Sequence, residues 1–431
     1  METKMTFSAT GDSFITRCCP QEDAEFQKVK EVLKSAEARF TNLETTVHDM
    51  EAFPSAQSGG TWAVAPPKVL ETLRNYGFNL IGTANNHSMD YSYGGLEATG
   101  RYLKNYGFTY AGTGKHLAEA GAPAFLDCLS GRVALIAATS SLFDSWVAGE
   151  QRRDMVGRPG VNPLRVSTEY LLEPEEFEVL KRIASKTGIN AYDDMIRKEG
   201  FLPKLQEDEF MLGQYVFKKS HVSGVITKPD KKDMERLEKT VRQAVNQADY
   251  VLVSIHSHQI KGTDKNEPTD FLVTASRRCI DAGAHAVIGH GPHVLRGIEI
   301  YKGKPVFYSL GNFIFQSETV SALPSDFYEK YGLGHDHDTV DALLKRSGNG
   351  TKGLSTDKNA LESVIARWTM EDGGLKEIKL FPIELGYGLP PYRLGRPKIS
   401  DRMDILERLQ ALSKPFGTEI HIHDGIGTVR L

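Results

Sequence analysis

The first 140 or so residues alternate short apolar segments with amphipathic segments, and this alternation constrains the fold more than any other feature. Gly77 and Gly107 directly follow two of the amphipathic segments, as glycine commonly does at the end of a helix. Alternating strands and helices form a largely parallel sheet with crossover helices, so the pattern predicts the α/β class. The predicted elements of this half are strands Thr6–Thr10, Arg39–Leu43, Phe78–Thr83, Phe108–Ala111 and Arg132–Thr139, and helices Glu22–Ala38, Pro67–Tyr76 and Tyr93–Tyr106.

The alternation is interrupted at about 145–240, where an extended loop precedes a charged, helical stretch, Pro174–Leu205. We interpret this segment as a helical and loop insertion, or cap, on a single domain that spans residues 1–431. The alternation of helices and strands resumes at Lys231, near the end of this segment, and is followed by a hairpin. These later elements are helix Lys231–Gln247, strand Tyr250–Ile255, helix Asp270–Ala282, strand Ala286–Ile288, and the hairpin strands Ile298–Tyr301 and Pro305–Ser309.

The last part of the chain divides into an irregular and a regular segment. Residues from about 318 to 358 are polar, with the runs HDHD and RSGNGTKG, and are predicted to form a mobile loop. Residues from about 360 to 431 are predicted to form a hairpin, a helix and a last strand.

Composition and charge limit the kind of protein this can be. With 40% hydrophobic residues, the chain can bury a sizeable core. A net charge of -4 gives no electrostatic reason to expect nucleic acid as a partner. No run reaches the ~18 apolar residues of a membrane span, and the first residues lack the pattern of a signal peptide. The four scattered cysteines indicate free thiols, so we expect a cytoplasmic protein.

Polar side chains of the metal-ligand type follow predicted strands one after another. Because ligands bind at the carboxyl ends of strands in α/β sheets, we expect these side chains to meet at one edge. Carboxylates, an amide and imidazoles suit one or two divalent ions such as manganese, zinc, iron or cobalt, which lower the pKa of bound water. The residues are Asp12, Glu44, Asn85, Asn86, His87, His256, His258, His290 and His293, with Gly311-Asn312 ending a further strand.

Each of these residues also has a simpler interpretation. Asp12 could belong to a turn or cap a helix, Glu44 could be a surface carboxylate, and Asn86 could be a turn residue. His258 shares a face with His256 and could form a hydrogen bond rather than bind metal. The metal interpretation is favoured because every one of these residues falls at the same end of a predicted strand.

Other polar residues have two open interpretations. Arg296 could bind an anionic substrate or could be a packing arginine, and Asn85 is a second candidate for substrate binding. Asp90 could orient His87 or could cap the following helix. Solvated or structural roles are favoured for His335, His337, His421 and His423.

Five segments resemble the bacterial capsule-synthesis or poly-γ-glutamate-synthesis family, which is called CapA-like and is a branch of the calcineurin-like metallophosphoesterase superfamily. The resemblance covers roughly residues 5–140 and 245–316, and the last segment is the most specific. The five segments are TGD at Thr10–Asp12, TNLET at Thr41–Thr45, ANNHSMDY at Ala84–Tyr91, VSIHSH at Val253–His258, and the long run Ile288–Phe315.

The resemblance implies a four-layer αββα sandwich with a metal centre at its edge. Asp12 takes the position of the first aspartate ligand, and Glu44 that of the bridging carboxylate. Asn86 takes the position of a ligand, and His87 that of a proton donor or base. His256, His290 and His293 match the remaining histidine ligands.

The chain departs from the superfamily pattern in three places. Phe14 stands where a histidine ligand is usual, the closing histidines are spaced H-x-x-H, and Ser257-His258 replaces Trp-Gly. One metal position is therefore weak, empty or filled by His258, and a single-metal site is an alternative.

We expect a metal-dependent hydrolase that cleaves a phosphoester or an amide-type bond in a small-molecule or peptide substrate. Metal-bound water would attack while His87 moves a proton, and Asp12 and His258 would assist. Two alternatives remain open. One is a metal-dependent peptide epimerase on the same fold, and the other is a non-catalytic role in polymer synthesis or ligand binding.

Overall fold

The computed structural model describes residues 4–431. In chain order, the strands are β1 Lys4–Phe14, β2 Ala38–Leu43, β3 Thr46–Val47, β4 Val64–Ala65, β5 Leu80–Gly82, β6 Thr109–Ala111, β7 Thr113–Gly114, β8 Ala124–Cys128, β9 Gly131–Thr139, β10 Gly160–Val161, β11 Val166–Leu172, β12 Glu209–Leu212, β13 Tyr215–Lys219, β14 Gly224–Pro229, β15 Tyr250–His256, β16 Ala286–His290, β17 Leu295–Tyr301, β18 Lys304–Leu310, β19 Asn312–Phe315, β20 Glu362–Glu371, β21 Gly374–Glu384, β22 Lys398–Ile399, β23 Ile420–His423 and β24 Ile426–Val429. The helices are α1 Ala24–Lys34, α2 Val69–Tyr76, α3 Ser92–Asn105, α4 Leu117–Ala120, α5 Pro174–Thr187, α6 Ala191–Lys198, α7 Lys231–Val245, α8 Asp270–Asp281, α9 Ser325–Lys330, α10 Thr339–Arg346 and α11 Met403–Ser413.

The larger sheet is mixed and is built around β1. Its strand order is β23-β24-β21-β20-β1-β2-β5-β6, with β19 also paired to β1 and β22 to β21. Strand β1 is parallel to β2 and β19 but antiparallel to β20, which comes from the C-terminal part of the chain. The strand that carries Asp12 is therefore held by partners that are distant in sequence.

The second sheet has the order β17-β18-β16-β15-β9-β8. Its inner strands β9, β15, β16 and β18 are parallel, and β8 and β17 add antiparallel edges. Strand β15 is buried along its whole length, as its apolar sequence YVLVSI leads one to expect of a strand covered on both faces.

The main core lies between the two large sheets. Phe7 and Trp368 of the larger sheet stack at 5.1 Å, and they contact Tyr250 and Phe307 of the second sheet at 5.3 and 5.4 Å between ring centroids. Buried residues of α1, α2 and α3 join a cluster with strands of the larger sheet, whereas α7 and α8 join a cluster with the second sheet. The architecture is therefore α/β with several mixed sheets.

The segment predicted as a helical and loop insertion also contains a sheet. Strands β11 to β14 form a four-stranded sheet in the order β12-β13-β11-β14. The single helical stretch predicted over Pro174–Leu205 is instead α5 and α6, separated at Gly188, whose φ of +64° ends α5. These strands were not predicted because charged residues lie along them and weaken the alternation of apolar and polar residues. For example, Lys218 forms an ion pair with Glu169 at 2.8 Å.

The segment 318–358 contains helices where the sequence predicted a loop. Asp338 caps the N-terminus of helix α10, and its side chain accepts hydrogen bonds from the backbone N–H groups of Val340 and Asp341. The HDHD run therefore supplies a helix cap, which is a common role of aspartate that composition alone does not separate from a polar loop. The two predicted hairpins are present as β17–β18 and β20–β21.

Two expectations about the whole chain concern membranes and disulfides. Within residues 4–431, no helix has both the length and the apolar character that crossing a membrane requires. None of the four cysteines, all of which lie in this range, forms a disulfide.

Candidate metal centre

The ligand-type residues lie together at one edge formed by strands of both large sheets. Asp12 is near the end of β1, Glu44 directly follows β2, and His256 and His290 are the last residues of β15 and β16. His256 and His290 stand opposite each other in the parallel register of these two strands. All four side chains are buried.

Asp12, His256 and His290 form the first group that could hold a metal ion. The Asp12 Oδ1 atom lies 3.1 Å from Nδ1 of His290 and 3.4 Å from Nδ1 of His256. The two Nδ1 atoms are 2.9 Å apart. Three donor atoms of the type that divalent metals prefer therefore surround one point.

Glu44 is the centre of a second group, which contains three imidazoles. Its Oε1 atom lies 3.7 Å from Nε2 of His256, 4.0 Å from Nε2 of His258 and 3.9 Å from Nε2 of His293. His256 presents Nδ1 to the first group and Nε2 to the second, and Asp12, Glu44 and His293 form a third group that connects them.

His293 reaches the site through a strained turn. Its φ is +59°, and Gly291 two residues earlier has a φ of +118°. A Cβ on Gly291 would lie 2.8 Å from the Ser257 backbone nitrogen, so only glycine fits at position 291. A non-glycine residue in the left-handed region costs about 1–3 kcal/mol and is often found at functional sites.

Several buried polar atoms at this edge have no hydrogen-bond partner. They are Oε1 and Oε2 of Glu44, Oδ1 of Asn86, Nε2 of His256 and Nε2 of His258. An unsatisfied buried polar group costs about 1–3 kcal/mol, so a group of them requires an explanation. Ligand atoms ~2.0–2.2 Å from a common ion lie ~3–4 Å from one another, which is the spacing seen here, so the residues fit a divalent metal.

The ionisation of the two carboxyl groups differs. Burial acts to raise the pKa of Asp12, but His256 and His290 outweigh it, so this pKa lies well below its ordinary value. Burial, together with the charges of Asp12 and Asp90, raises the pKa of Glu44 well above its ordinary value. Burial lowers the pKa of His256 to about 4 and lowers that of His258 as well, so both imidazoles are neutral near pH 7.

His87 lies beside these groups and is held by Asp90. The His87 Nδ1 atom is 2.6 Å from Oδ2 of Asp90, so the geometry favours the first of the two interpretations left open for Asp90, in which it orients this imidazole rather than caps α3. Asp90 also accepts hydrogen bonds from the backbone N–H groups of Gly59 and Ala63, at 3.0 and 2.7 Å. A Cβ on Gly59 would lie 2.5 Å from Nδ2 of Asn86, so glycine allows the loop around 59–61 to approach the site.

The family of the chain follows from one comparison. A family model described as bacterial capsule synthesis protein PGA_cap matches residues 6–317. The chain belongs to this family. This confirms the resemblance drawn from the five motifs, all of which lie within the matched residues.

Relatives of the chain include an uncharacterized protein and two proteins that are named for capsule or PGA biosynthesis. The chain is 35% identical over 441 residues to the uncharacterized protein y4uA of Sinorhizobium fredii, a match that covers 99% of this chain and 93% of that protein. It is 34% identical over 146 residues to the PGA biosynthesis protein CapA of Bacillus subtilis, covering 31% and 37% of the two chains. It is 23% identical over 321 residues to the capsule biosynthesis protein CapA of Bacillus anthracis, covering 72% and 60%.

Two residues that were predicted to bind substrate are held by contacts within the protein. Arg296 is completely buried and donates to the backbone carbonyls of Lys265 and Gln259, at 2.9 and 2.8 Å, while its Nη1 has no hydrogen-bond partner. Asn85 is also buried, donates to the Leu43 carbonyl, and accepts from the His87 backbone N–H. These contacts fix the two side chains and the loop that carries His87, and substrate binding by either residue stays a prediction.

The sequence interpretation missed side chains that hold the predicted ligands in place. Asn42 donates to Oδ1 of Asp12 at 2.7 Å, and Oδ1 of Asn312 lies 2.9 Å from Nδ1 of His293. Ser254 lies 2.8 Å from Nε2 of His290. Asn42 and Asn312 stand inside the TNLET motif and the Gly-Asn turn, so their position beside predicted ligands was an available signal.

Metal binding to this centre is expected to strengthen as pH rises. In the metal-free protein Glu44 retains its proton to a higher pH than an ordinary glutamate, and His256 is already neutral near pH 7, so it releases no proton when its one unprotonated nitrogen binds an ion. Binding therefore releases the Glu44 proton, and the apparent affinity rises by up to about tenfold per pH unit below the raised pKa. Calorimetric titration of Mn²⁺ in two buffers of different ionisation enthalpy measures this release. An affinity that is independent of pH would contradict the assignment of Glu44.

Proposed function

We propose that the protein is a metal-dependent hydrolase that cleaves a phosphoester or amide-type bond. The observation that carries the proposal is the convergence of unpartnered, buried Glu44, Asn86, His256 and His258 atoms at one edge of the sheets. The family description and the names of the two Bacillus relatives support a role in the synthesis of a capsule or poly-γ-glutamate polymer.

We further propose that the architecture is the four-layer αββα sandwich of the metallophosphoesterase type. The core between the two large sheets and the separate helical clusters on each of them support this arrangement. The metal groups lie where the ends of strands from both sheets meet, as a centre at the edge of such a sandwich requires.

The proposed ligands divide into two neighbouring sets. Asp12 and His290 would belong to one set and His258 and His293 to the other, with Glu44 as the carboxylate shared between them and Asn86 adding an amide oxygen. The neutral His256 ring has one unprotonated nitrogen, so it would join one of the two sets. A bound divalent ion of the manganese, zinc, iron or cobalt type would activate water and polarise the oxygen of the bond to be cleaved.

His87 is the proposed proton-transfer residue. With Asp90 ionised, Nδ1 of His87 donates to this carboxylate, so Nε2 is the nitrogen left to hold or move a proton. His87 also lines the cavity that opens beside the centre, which places the ring where a leaving group can reach it. A positioned acid or base of this kind contributes about 10²–10⁴-fold to the rate.

His258 is the proposed replacement for the histidine that Phe14 displaces. Phe14 is buried, and its ring packs edge-on against His87 at 5.1 Å, where it offers no ligand atom. His258 instead brings an unpartnered Nε2 atom to within 4.0 Å of Oε1 of Glu44. Although 34% of this side chain is exposed, the nitrogen itself is buried.

Replacing His258 with alanine is expected to lower the metal content by about one ion per chain, because a group of few ligands loses one of them. His421→Ala is the matched control, since His421 is exposed on β23. Elemental mass spectrometry on protein purified without chelator measures both variants. Wild-type protein without metal, even after reconstitution, would overturn the proposed function, and an unchanged His258→Ala variant would remove His258 from the ligand set.

The class of reaction is tested on the same metal-loaded protein. An aryl phosphodiester and a γ-glutamyl amide are incubated with it in deuterated water, and the products and recovered substrates are analysed by mass spectrometry. We expect cleavage of one bond class and a loss of at least about 10²-fold in His87→Asn. Deuterium incorporation without cleavage would favour the peptide epimerase instead. If the protein catalyses neither cleavage nor deuterium exchange, a binding role in polymer synthesis would be favoured.

A further inference from the structure

A cavity of about 230 Å³ opens beside the metal centre. His87 and His293 line it on the side of the centre, and Phe14, Phe315 and Leu354 provide apolar surface. The volume is below the ~300–1,000 Å³ that encloses a whole ligand of drug size. The cavity therefore accepts one part of a substrate whose reacting bond lies at the neighbouring centre.

Two cations line this cavity on the segment that was predicted to be a loop. Arg346 ends α10, and Lys352 follows six residues later. Both lie beyond residue 317, where the match to the family model ends. They therefore lie outside the part of the chain that the family model matches.

Arg346 is fixed in position but retains unused donors. Its Nη1 lies 2.5 Å from Oγ1 of Thr61, and its Nη2 lies 2.7 Å from Oε1 of Glu318. The Arg346 side chain is 21% exposed and that of Glu318 is 10% exposed. A guanidinium has five N–H donors, so these two contacts leave others available to a ligand in the cavity.

Lys352 gives the cavity a positive charge that no protein carboxylate balances. Glu318 is the only acidic residue in the lining, and it already contacts Arg346. Within the described part of the chain, the Lys352 ammonium has neither an ion pair nor a hydrogen bond, and the residue is exposed. Ser317, Ser347 and Thr61 add hydroxyl groups to the same lining. A small cavity with excess positive charge attracts anions.

We propose that Arg346 and Lys352 bind an oxyanion group of the substrate, a carboxylate or a phosphate, beside the bond that is cleaved. This assignment rests on the proposed function for the identity of the neighbouring centre. Phe14 and Phe315 would contact the apolar part of the substrate that carries the anion. The cations thus select acidic substrates, whereas the metal ligands perform the chemistry.

The test uses chelator-treated full-length protein, so that a metal ion cannot bind the anion itself. Glutarate and inorganic phosphate are titrated separately and followed by ligand-detected NMR. Lys352→Met is expected to weaken binding by at least about tenfold, as the loss of a charged hydrogen bond does. Lys345→Met is the matched control, because Lys345 is exposed on α10, seven residues before Lys352, and does not line the cavity. Arg346→Met is expected to have a similar effect but also breaks the contact with Glu318, so Lys352 gives the cleaner test.

The outcomes separate this proposal from the proposed function. Binding of either anion that Lys352→Met weakens supports the cavity as the oxyanion site, and the anion that binds identifies the source. If neither anion binds wild-type protein, or Lys352→Met binds as wild type does, the proposal is overturned. The metal content of each variant is measured on a separate sample that was not treated with chelator, and is expected to equal that of wild type. Untreated wild-type protein that holds no metal, even after reconstitution, would overturn the proposed function, and the anion titration would still decide the role of the cavity.

Discussion

Replacing Glu44 with glutamine is expected to abolish metal retention while making the metal-free protein more stable at alkaline pH. The raised pKa of Glu44 means that the folded protein holds this proton more tightly than the unfolded chain does. Glu44 therefore contributes stability at low pH and loses that contribution as pH rises through its raised pKa. Glutamine at position 44 carries no charge at any pH, so the variant escapes this loss. We expect its free energy of unfolding to exceed that of metal-free wild type by about 1–3 kcal/mol at alkaline pH.

Thermal unfolding with and without Mn²⁺, together with elemental analysis, checks both halves of this result. Wild type is expected to gain about 2.7 kcal/mol when the free ion is at a hundred times its Kd, and Glu44→Gln is expected to gain nothing. The control is Glu299→Gln. Glu299 is also buried but is paired with Arg277 at 2.7 Å and with Tyr308 at 2.6 Å, so this variant is expected to lose stability and keep its metal. A Glu44→Gln protein that still gains stability from the ion would show that Glu44 is not a ligand.

Replacing Asp90 with asparagine is expected to reduce both the stability and the hydrolysis rate. The Asp90 carboxylate accepts hydrogen bonds from the backbone N–H groups of Gly59 and Ala63 and from Nδ1 of His87. Asparagine would offer a single acceptor oxygen for these three donors. Buried donors that lose their acceptor cost about 1–3 kcal/mol each, so we expect a loss of about 2–4 kcal/mol. Because His87 also loses its orientation, the rate is expected to fall by about 10–100-fold or more.

The two effects of Asp90→Asn are separated by comparison with Asp233→Asn. Asp233 is buried and paired with Arg165 and Arg236, at 2.8 and 2.9 Å, so its variant is expected to lose stability without a specific loss of activity. Rates are measured over a range of pH, well below the unfolding temperature, on the bond class that the hydrolysis assay identifies. A positioning role predicts a changed pH profile in Asp90→Asn alone. Equal losses of rate and an unchanged profile in both variants would show that Asp90 acts only on stability.

The candidate metal residues could be proposed from sequence because they lie at or a few residues beyond the ends of strands. His256 and His290 are the last residues of β15 and β16, so the apolar run before each one fixes where its side chain lies. The topology then brings them together, since β15 and β16 are adjacent and parallel. The sequence left open whether His258 binds metal or forms a hydrogen bond, because this depends on how the chain turns after β15. In the structure, Nε2 of His258 lies 4.0 Å from Oε1 of Glu44.

Sequence patterns give no signal for contacts between residues that are distant in the chain. Arg296 contacts carbonyls 31 and 37 residues away, and no local pattern distinguishes such an arginine from one that faces a ligand. The sheet of β11 to β14 was not predicted, for a related reason. Its strands carry paired charges such as Glu169 and Lys218 in place of a clear apolar face, so period-two hydrophobicity is weak. Arg346 was not predicted to lie near the candidate site because its segment carries no ligand-type motif.

The position of β1 also bears on the order in which the molecule can assemble during translation. The ribosome delivers Asp12 early, yet two partners of its strand, β19 and β20, begin at Asn312 and Glu362. Until those residues emerge, β1 has an unpaired edge, and His256, His290 and His293 are synthesised more than about 240 residues after Asp12. Contacts that span so much chain slow folding and leave strand edges open to aggregation. The nascent chain therefore gains the full set of proposed metal ligands only after β1, β2, β15 and β16 have been synthesised, and binding of an ion would stabilise these strands rather than nucleate them.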